Sequence, residues 1–276
     1  MKDNIKEKII NNWDRFSIKE KRVAKFVVDN YEQITAMSSQ ELALKAEVSD
    51  TTVIRFSQSI GYKGYLTFKK DLKKEVLSKK SPYEVLKTME KTNDVVVEKY
   101  KSTILNDSND FLGKLDLHIV DEVVEEILSA RKVYVVGAGS DRSVAMYLYN
   151  YLPLVGIDTV AIMEEGVAMR ALSMEITKDD LVIMSSFPTI RTSEEWIAEY
   201  CKNIGTKLIA LTDSQVTAKI LNAKYFIKTG RSENAFFNSC ILSMMVCEII
   251  LLKITERNPE QVSERLKLYH ELVFEE

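Results

Sequence analysis

Three clusters in this sequence combine residue types at spacings that can do chemistry. The first is Ser49, Thr51 and Thr52, with Arg55 one helical turn further on. Small hydroxyls let a helix backbone come close to another molecule, and a guanidinium reaches a base edge or a phosphate. Ser49 and the free N–H groups of a helix start suit a phosphate. The second is Gly137-Ala138-Gly139-Ser140-Asp141. Gly137 and Gly139 allow close backbone approach, and a helix opening just after them favours an anion at its N-terminus. The third, Ser185 to Ser193, holds five hydroxyls in nine residues: Ser185, Ser186, Thr189, Thr192 and Ser193. Hydroxyls suit a phosphate or the hydroxyls of a sugar, and Arg191 is a candidate phosphate clamp. A lone serine would be read as a helix cap or a turn residue. A cluster set opposite a glycine-rich turn favours a ligand site.

Other chemistries lack material. His118 and His270 stand alone, and Cys201, Cys240 and Cys247 form no CxxC pair. A disulfide framework, a metal site and a Ser-His-Asp triad are not expected, nor is any cofactor. A dinucleotide would want a third glycine near position 142, where Arg142 stands. The apolar run Cys240 to Leu252 carries Glu248 and falls short of the roughly 20 residues of a membrane span. The opening residues alternate charged with apolar groups and carry no secretory signal. A cytoplasmic protein without membrane partners is expected.

Stepping outward, 276 residues at 46% hydrophobic content support one large domain or two modest ones. Charge is unevenly placed. Residues 1–80 hold 17 Lys and Arg against 11 Asp and Glu, while the remainder hold 21 against 30. A basic head on an acidic body points the head at a polyanion. Within the head, Val23, Phe26, Val27 and Tyr31 make an amphipathic stripe over 19–31. Ser38 with Glu41 fits a capping box that opens a helix over 38–46. A short turn follows, then a helix from Thr51 whose Val53, Phe56 and Ile60 face inward, stopped by Gly61. That is a helix-turn-helix with Thr51, Thr52, Arg55 and Ser59 facing out.

Residues 79–110 read as a polar linker with helical stretches. Beyond it, short apolar runs recur at Val133–Val136, Ile157–Met163, Leu181–Met184, Leu208–Leu211 and Tyr225–Ile227. Helical patterns separate them, so a parallel sheet covered on both faces is expected. The fold class is an all-α helix-turn-helix head plus an α/β three-layer doubly wound parallel-sheet domain. In such sheets ligands sit beyond the carboxyl ends of the strands, where the second and third clusters lie. The late apolar helix, Ile241 to Ile254, is either an interface or plain core.

Val48-Ser49-Asp50-Thr51-Thr52-Val53-Ile54-Arg55-Phe56, Gly61-Tyr62-Lys63-Gly64-Tyr65 and Phe68-Lys69 together resemble the DNA-binding domain of the RpiR family of bacterial regulators. The likeness covers about residues 1–78 and adds Lys63 to Ser49, Thr51, Thr52 and Arg55 as DNA contacts. Val133–Ser140, Asp180–Glu195 and Leu208–Asp213, with the late helix, resemble a SIS domain over 111–276. That resemblance implies a phosphorylated sugar as ligand, held by Gly137, Gly139, Ser140, Ser185, Ser186, Thr189, Arg191 and Thr192. Glu233 is placed where related isomerases hold an acid near the substrate. Two departures stand out: Asp141 replaces the serine of the family's first loop, and Phe187-Pro188 replaces a Ser-Gly pair in the second. An Asp facing a phosphate needs Arg142 or Arg191 to offset it. The reading is a homodimeric or homotetrameric transcriptional regulator of carbohydrate metabolism that binds an operator duplex, not an enzyme. The alternative is a sugar-phosphate isomerase or deaminase drawing on Glu165, Glu194, Glu195 and Glu233. A third reading makes the head a bundle that binds protein instead of DNA.

Overall fold

The computed structural model describes residues 5–78, 96–187, 190–229 and 239–274, which divide into two units, Met1–Glu98 and Lys99–Glu276. The first unit is helical: α1 Ile5–Asn12, α2 Ile18–Asp29, α3 Tyr31–Ile34, α4 Ser39–Lys45, α5 Asp50–Ser59 and α6 Tyr65–Ser78. Reciprocal capping boxes set two of the starts. The Ser17 N–H donates to Glu20 (2.9 Å) and the Ser38 N–H to Glu41 (2.7 Å), while each serine hydroxyl accepts the N–H of its glutamate. A cap of this kind is worth about 1 kcal/mol. The helix expected over 19–31 breaks after Asp29 and resumes as α3. Phe26 is only half-buried, and Val28 joins Val23 and Val27 on the buried face.

The centre of this unit is aromatic. The Phe56 ring lies 5.4 Å from Phe16 and 6.0 Å from Phe68, and Val23, Val27, Leu42 and Val53 are fully buried in the same unit. Between α4 and α5 the chain turns through Glu47 at φ +53°, and the Val48 N–H donates to the Ala43 carbonyl at 2.9 Å. Such a left-handed residue ends a helix sharply. It makes the turn tight enough for two short helices to share one core.

The second unit begins within α7 Val96–Lys114 and runs through α8 Leu117–Ser129, β1 Val133–Gly137, α9 Arg142–Tyr151, β2 Thr159–Ile162, α10 Gly166–Ser173 and β3 Leu181–Ser185. It continues with α11 Thr192–Ile204, β4 Lys207–Thr212, α12 Gln215–Ile220, β5 Tyr225–Lys228, α13 Ile241–Arg257 and α14 Pro259–Phe274. The strands are all parallel, in the order β2-β1-β3-β4-β5. Each apolar run found in the sequence is one of them. Alternate residues of a strand go to opposite faces. Val133, Val135, Ile183 and Leu211 pack under α8, α9 and α13, while Tyr134, Val136, Val182 and Met184 pack under α10, α11 and α12. The result is a three-layer doubly wound domain.

The segment read as a linker with helical stretches, 79–110, is described only in part. Residues 79–95 lie outside the described residues, and 96–110 belong to α7, which continues to Lys114. Phe111 packs against the sheet core and ties the end of α7 to the second unit. Helix α13 packs inward, with Val246, Cys247, Ile250 and Ile254 in the core and Leu252 left exposed. Among the described residues, no helix is long and apolar enough to cross a membrane.

Candidate functional site

In the first unit, Ser49 caps α5. Its hydroxyl accepts the Thr52 N–H at 3.3 Å and lies 2.8 Å from the Thr52 hydroxyl. Thr51, Arg55 and Lys63 are exposed, Thr52 half-buried. The outward face expected of α5 is thus in place, with Lys63 in the turn that follows it. The Ser59 hydroxyl donates to Glu20 of α2 at 2.9 Å, pinning the two helices together. Burial works against the Glu20 charge. Hydrogen bonds from Ser17 and Ser59 and the nearby Arg55 charge outweigh it and hold the carboxyl below its usual range. The Arg55 charge is therefore near enough to the Glu20 carboxylate to stabilise its ionised form. Lys63 shares its groove with Lys69, Ser38, Ser39 and Glu41.

The second site lies where the strand order reverses, between the carboxyl ends of β1 and β3. Gly137 is in register with Ser185 there. Gly137 must be glycine, because a Cβ would run into the Asp141 backbone. Gly139, at φ +59°, lies in the left-handed region that favours glycine, with the Arg191 guanidinium next to the place where a Cβ would point. Arg191 crosses from the β3–α11 loop and donates to the Ala138 carbonyl at 2.6 Å. Ser140 and Thr192 are exposed at the rim. The Ser140 carbonyl accepts from the Ser143 hydroxyl at 2.8 Å.

The interior of this crevice is acidic. Asp141 is fully buried and accepts the Ser185 hydroxyl at 2.6 Å and the Phe187 N–H at 3.3 Å. Burial pushes its carboxyl up to about 6, against the pull of those hydrogen bonds and the Arg191 charge. Glu194, also buried, accepts the Ser186 hydroxyl at 2.7 Å and the Arg191 N–H at 2.9 Å. Burial raises its carboxyl too. The hydroxyls of Ser185 and Ser186 are therefore held by the chain's own carboxylates. Of the two arginines weighed against Asp141, Arg191 faces it. Arg142 is exposed and donates instead to the Met163 carbonyl at 2.6 Å. Thr189 and Glu233 lie outside the described residues.

Two features of the crevice escaped the sequence reading. Glu194 was visible only as a spare carboxylate, yet its position three residues after Arg191 is capping-box spacing, which turns a side chain back onto the helix start. The end of β4 also contributes. The Thr212 and Thr229 hydroxyls and one Asp213 carboxylate oxygen are buried without a hydrogen-bond partner among the described residues. Polar atoms in that condition mark a site where a ligand or solvent is accommodated. The sequence signal was the Thr212-Asp213-Ser214 run at a strand end.

Comparison with known proteins agrees with both geometries. Residues 3–79 match the helix-turn-helix domain of the rpiR family, and residues 126–253 match the SIS domain. The chain is 25% identical over 269 residues to an uncharacterized HTH-type transcriptional regulator of Providencia stuartii, covering 93% of this chain and 92% of that protein. It is 27% identical over 217 residues to the HTH-type transcriptional regulator HexR of Pseudomonas aeruginosa, covering 76% and 73%. The solved structure of Vibrio vulnificus NanR complexed with ManNAc-6P shares the fold at a TM-score of 0.59 and 19% identity, covering 96% of each chain. A helix-turn-helix head of this family followed by a doubly wound SIS domain makes this chain a transcriptional regulator of the rpiR family.

Proposed function

We propose that this regulator binds operator DNA through Ser49, Thr51, Thr52, Arg55 and Lys63, and that its SIS domain senses a phosphorylated sugar in the β1/β3 crevice. The observation that carries the ligand half is Arg191. Its half-buried guanidinium is held at the crevice mouth by the Ala138 carbonyl, beside Gly139 in its left-handed conformation. A guanidinium so placed suits a phosphate. The backbone at Gly137 and Gly139 allows close approach, and Ser140 and Thr192 offer rim hydroxyls. Ser185 and Ser186 join once their carboxylate partners let go, and Thr189 and Glu233 enter by resemblance alone. NanR, a protein of the same fold, is described in complex with ManNAc-6P, which supports a phosphosugar as the ligand class.

We assign no catalytic residue. The relatives by sequence are regulators, and the two buried carboxylates of the crevice are held by hydrogen bonds. The protein acts in the cytoplasm, on DNA, as a homodimer or homotetramer. Helix α14 supports assembly: beyond the buried Val262 it exposes Leu266, Tyr269 and Val273 along one stripe. Ligand shifts the equilibrium between arrangements of the assembly, and with it operator affinity.

Thermal unfolding of the full chain with a panel of phosphorylated sugars, each beside its free sugar, tests this. A specific ligand at about 100 times its dissociation constant adds about 2.7 kcal/mol. The compound that stabilises should also change the affinity for duplex DNA. Stabilisation by the free sugar alone, or by none of the panel, would refute the phosphosugar reading and leave DNA binding standing.

A further inference from the structure

We propose that the Asp141 carboxylate is a resident anion, filling the place that a ligand phosphate must take, so that a phosphorylated ligand binds by displacing it. The inference rests on the phosphosugar reading of the crevice and names the residue that sets its selectivity. A carboxylate and a phosphate present the same kind of acceptor oxygens to the same donors. Here the donors are the Ser185 hydroxyl at 2.6 Å and the Phe187 N–H at 3.3 Å, both at the carboxyl end of β3 and both engaged by Asp141. That is where ligands sit in an open parallel sheet. Asp141 reaches it from a tight turn, Gly139–Asp141, that leads straight into α9.

The surrounding charges set the terms of exchange. Arg191 faces Asp141 from the β3–α11 loop, Glu194 from α11, Asp213 from the β4–α12 turn and the Cys240 thiol from the start of α13. Three carboxylates confront one guanidinium. An incoming anion is therefore opposed while Asp141 is ionised, and admitted once Asp141 takes up a proton or swings out. Because burial has lifted this carboxyl to about 6, protonation falls within reach of ordinary pH. Ligand entry is then linked to proton uptake, and protonated Asp141 becomes a hydrogen-bond donor to the anion that replaces it.

The test uses inorganic sulfate, which stays fully ionised across the range, titrated calorimetrically into the full chain at about pH 8 and about pH 5. Wild type is expected to bind up to about a hundredfold more tightly at the lower pH, as follows for a carboxyl titrating at about 6. Asp141→Ser should bind at the higher pH as wild type does at the lower, and should lose most of the pH dependence. Circular dichroism checks that the variant folds, and if it does not, the wild-type pH comparison still decides. Equal sulfate affinity of wild type at both pH values overturns the inference. If wild type binds a phosphosugar at about pH 8 and folded Asp141→Ser binds it no better, the phosphosugar reading stands and the resident-anion inference falls. If folded Asp141→Ser binds neither sulfate nor any phosphosugar at either pH, both fall.

Discussion

Burial lifts the Asp141 carboxyl from its ordinary 3.8 to about 6, so its ionised form is strained in the folded protein by about 3 kcal/mol. The sign follows from proton linkage. A carboxyl raised on folding contributes stability that is whole below 3.8 and is lost as pH climbs through about 6. Asp141→Asn removes the charge while keeping shape. The variant should unfold at a higher temperature than wild type at about pH 8, and the gap should shrink as pH falls below 6. A gap that stays constant with pH would mean that Asp141 is not strained by its charge. Gly139→Ala works on the same crevice from the other side. Its Cβ lands on the Arg191 guanidinium at a backbone angle that side chains avoid. Phosphosugar stabilisation should be lost, and an unchanged response would show that Arg191 does not hold the ligand.

Ser49 serves α5 twice, as the cap of the helix and as a proposed phosphate contact. Substitutions separate the two roles. Ser49→Ala removes the cap and should lower the stability of the first unit by about 1 kcal/mol. Ser49→Asp keeps a capping oxygen but adds a negative charge beside the DNA. It should hold stability and lose operator affinity, and an unchanged affinity would place Ser49 away from phosphate. Along the same face, Arg55→Ala should cost about 1–3 kcal/mol if Arg55 reads a base. Lys63→Ala should weaken binding evenly across sequences and lower the salt slope by about 1 if Lys63 meets phosphate. These elements were legible because each carries a local signature. Ser38 with Glu41 announced α4, the polar Ser49 announced α5, and the apolar runs announced all five strands. What stayed hidden depends on partners far apart in sequence. Asp141 and Ser185 are 44 residues apart, and only the pairing of β1 with β3 makes them neighbours. The sequence displayed the hydroxyls that suit a ligand but not the carboxylates that already occupy them.

Across the whole chain, the two functions are separated by unit. The proposed DNA contacts fall within residues 1–80, which carry 17 basic against 11 acidic residues, and the proposed ligand crevice in the remainder, which carries 21 against 30. Any effect of a phosphosugar on DNA binding is then a coupling between distinct sites. Such coupling is reciprocal: if the effector changes operator affinity by some factor, the operator changes effector affinity by the same factor. Couplings of this kind usually amount to about 5- to 150-fold. The measurement is the effector dissociation constant of the full chain with and without saturating operator duplex, beside the operator constant with and without saturating effector. Equal factors are expected. An effector that alters operator binding while the operator leaves effector binding untouched would mean that the compound acts on the DNA-binding unit itself, and the crevice would lose its regulatory role. Asp141→Ser sharpens the comparison at about pH 8, because emptying the crevice of its resident anion should lower the effector concentration needed without changing the operator affinity of the fully liganded protein.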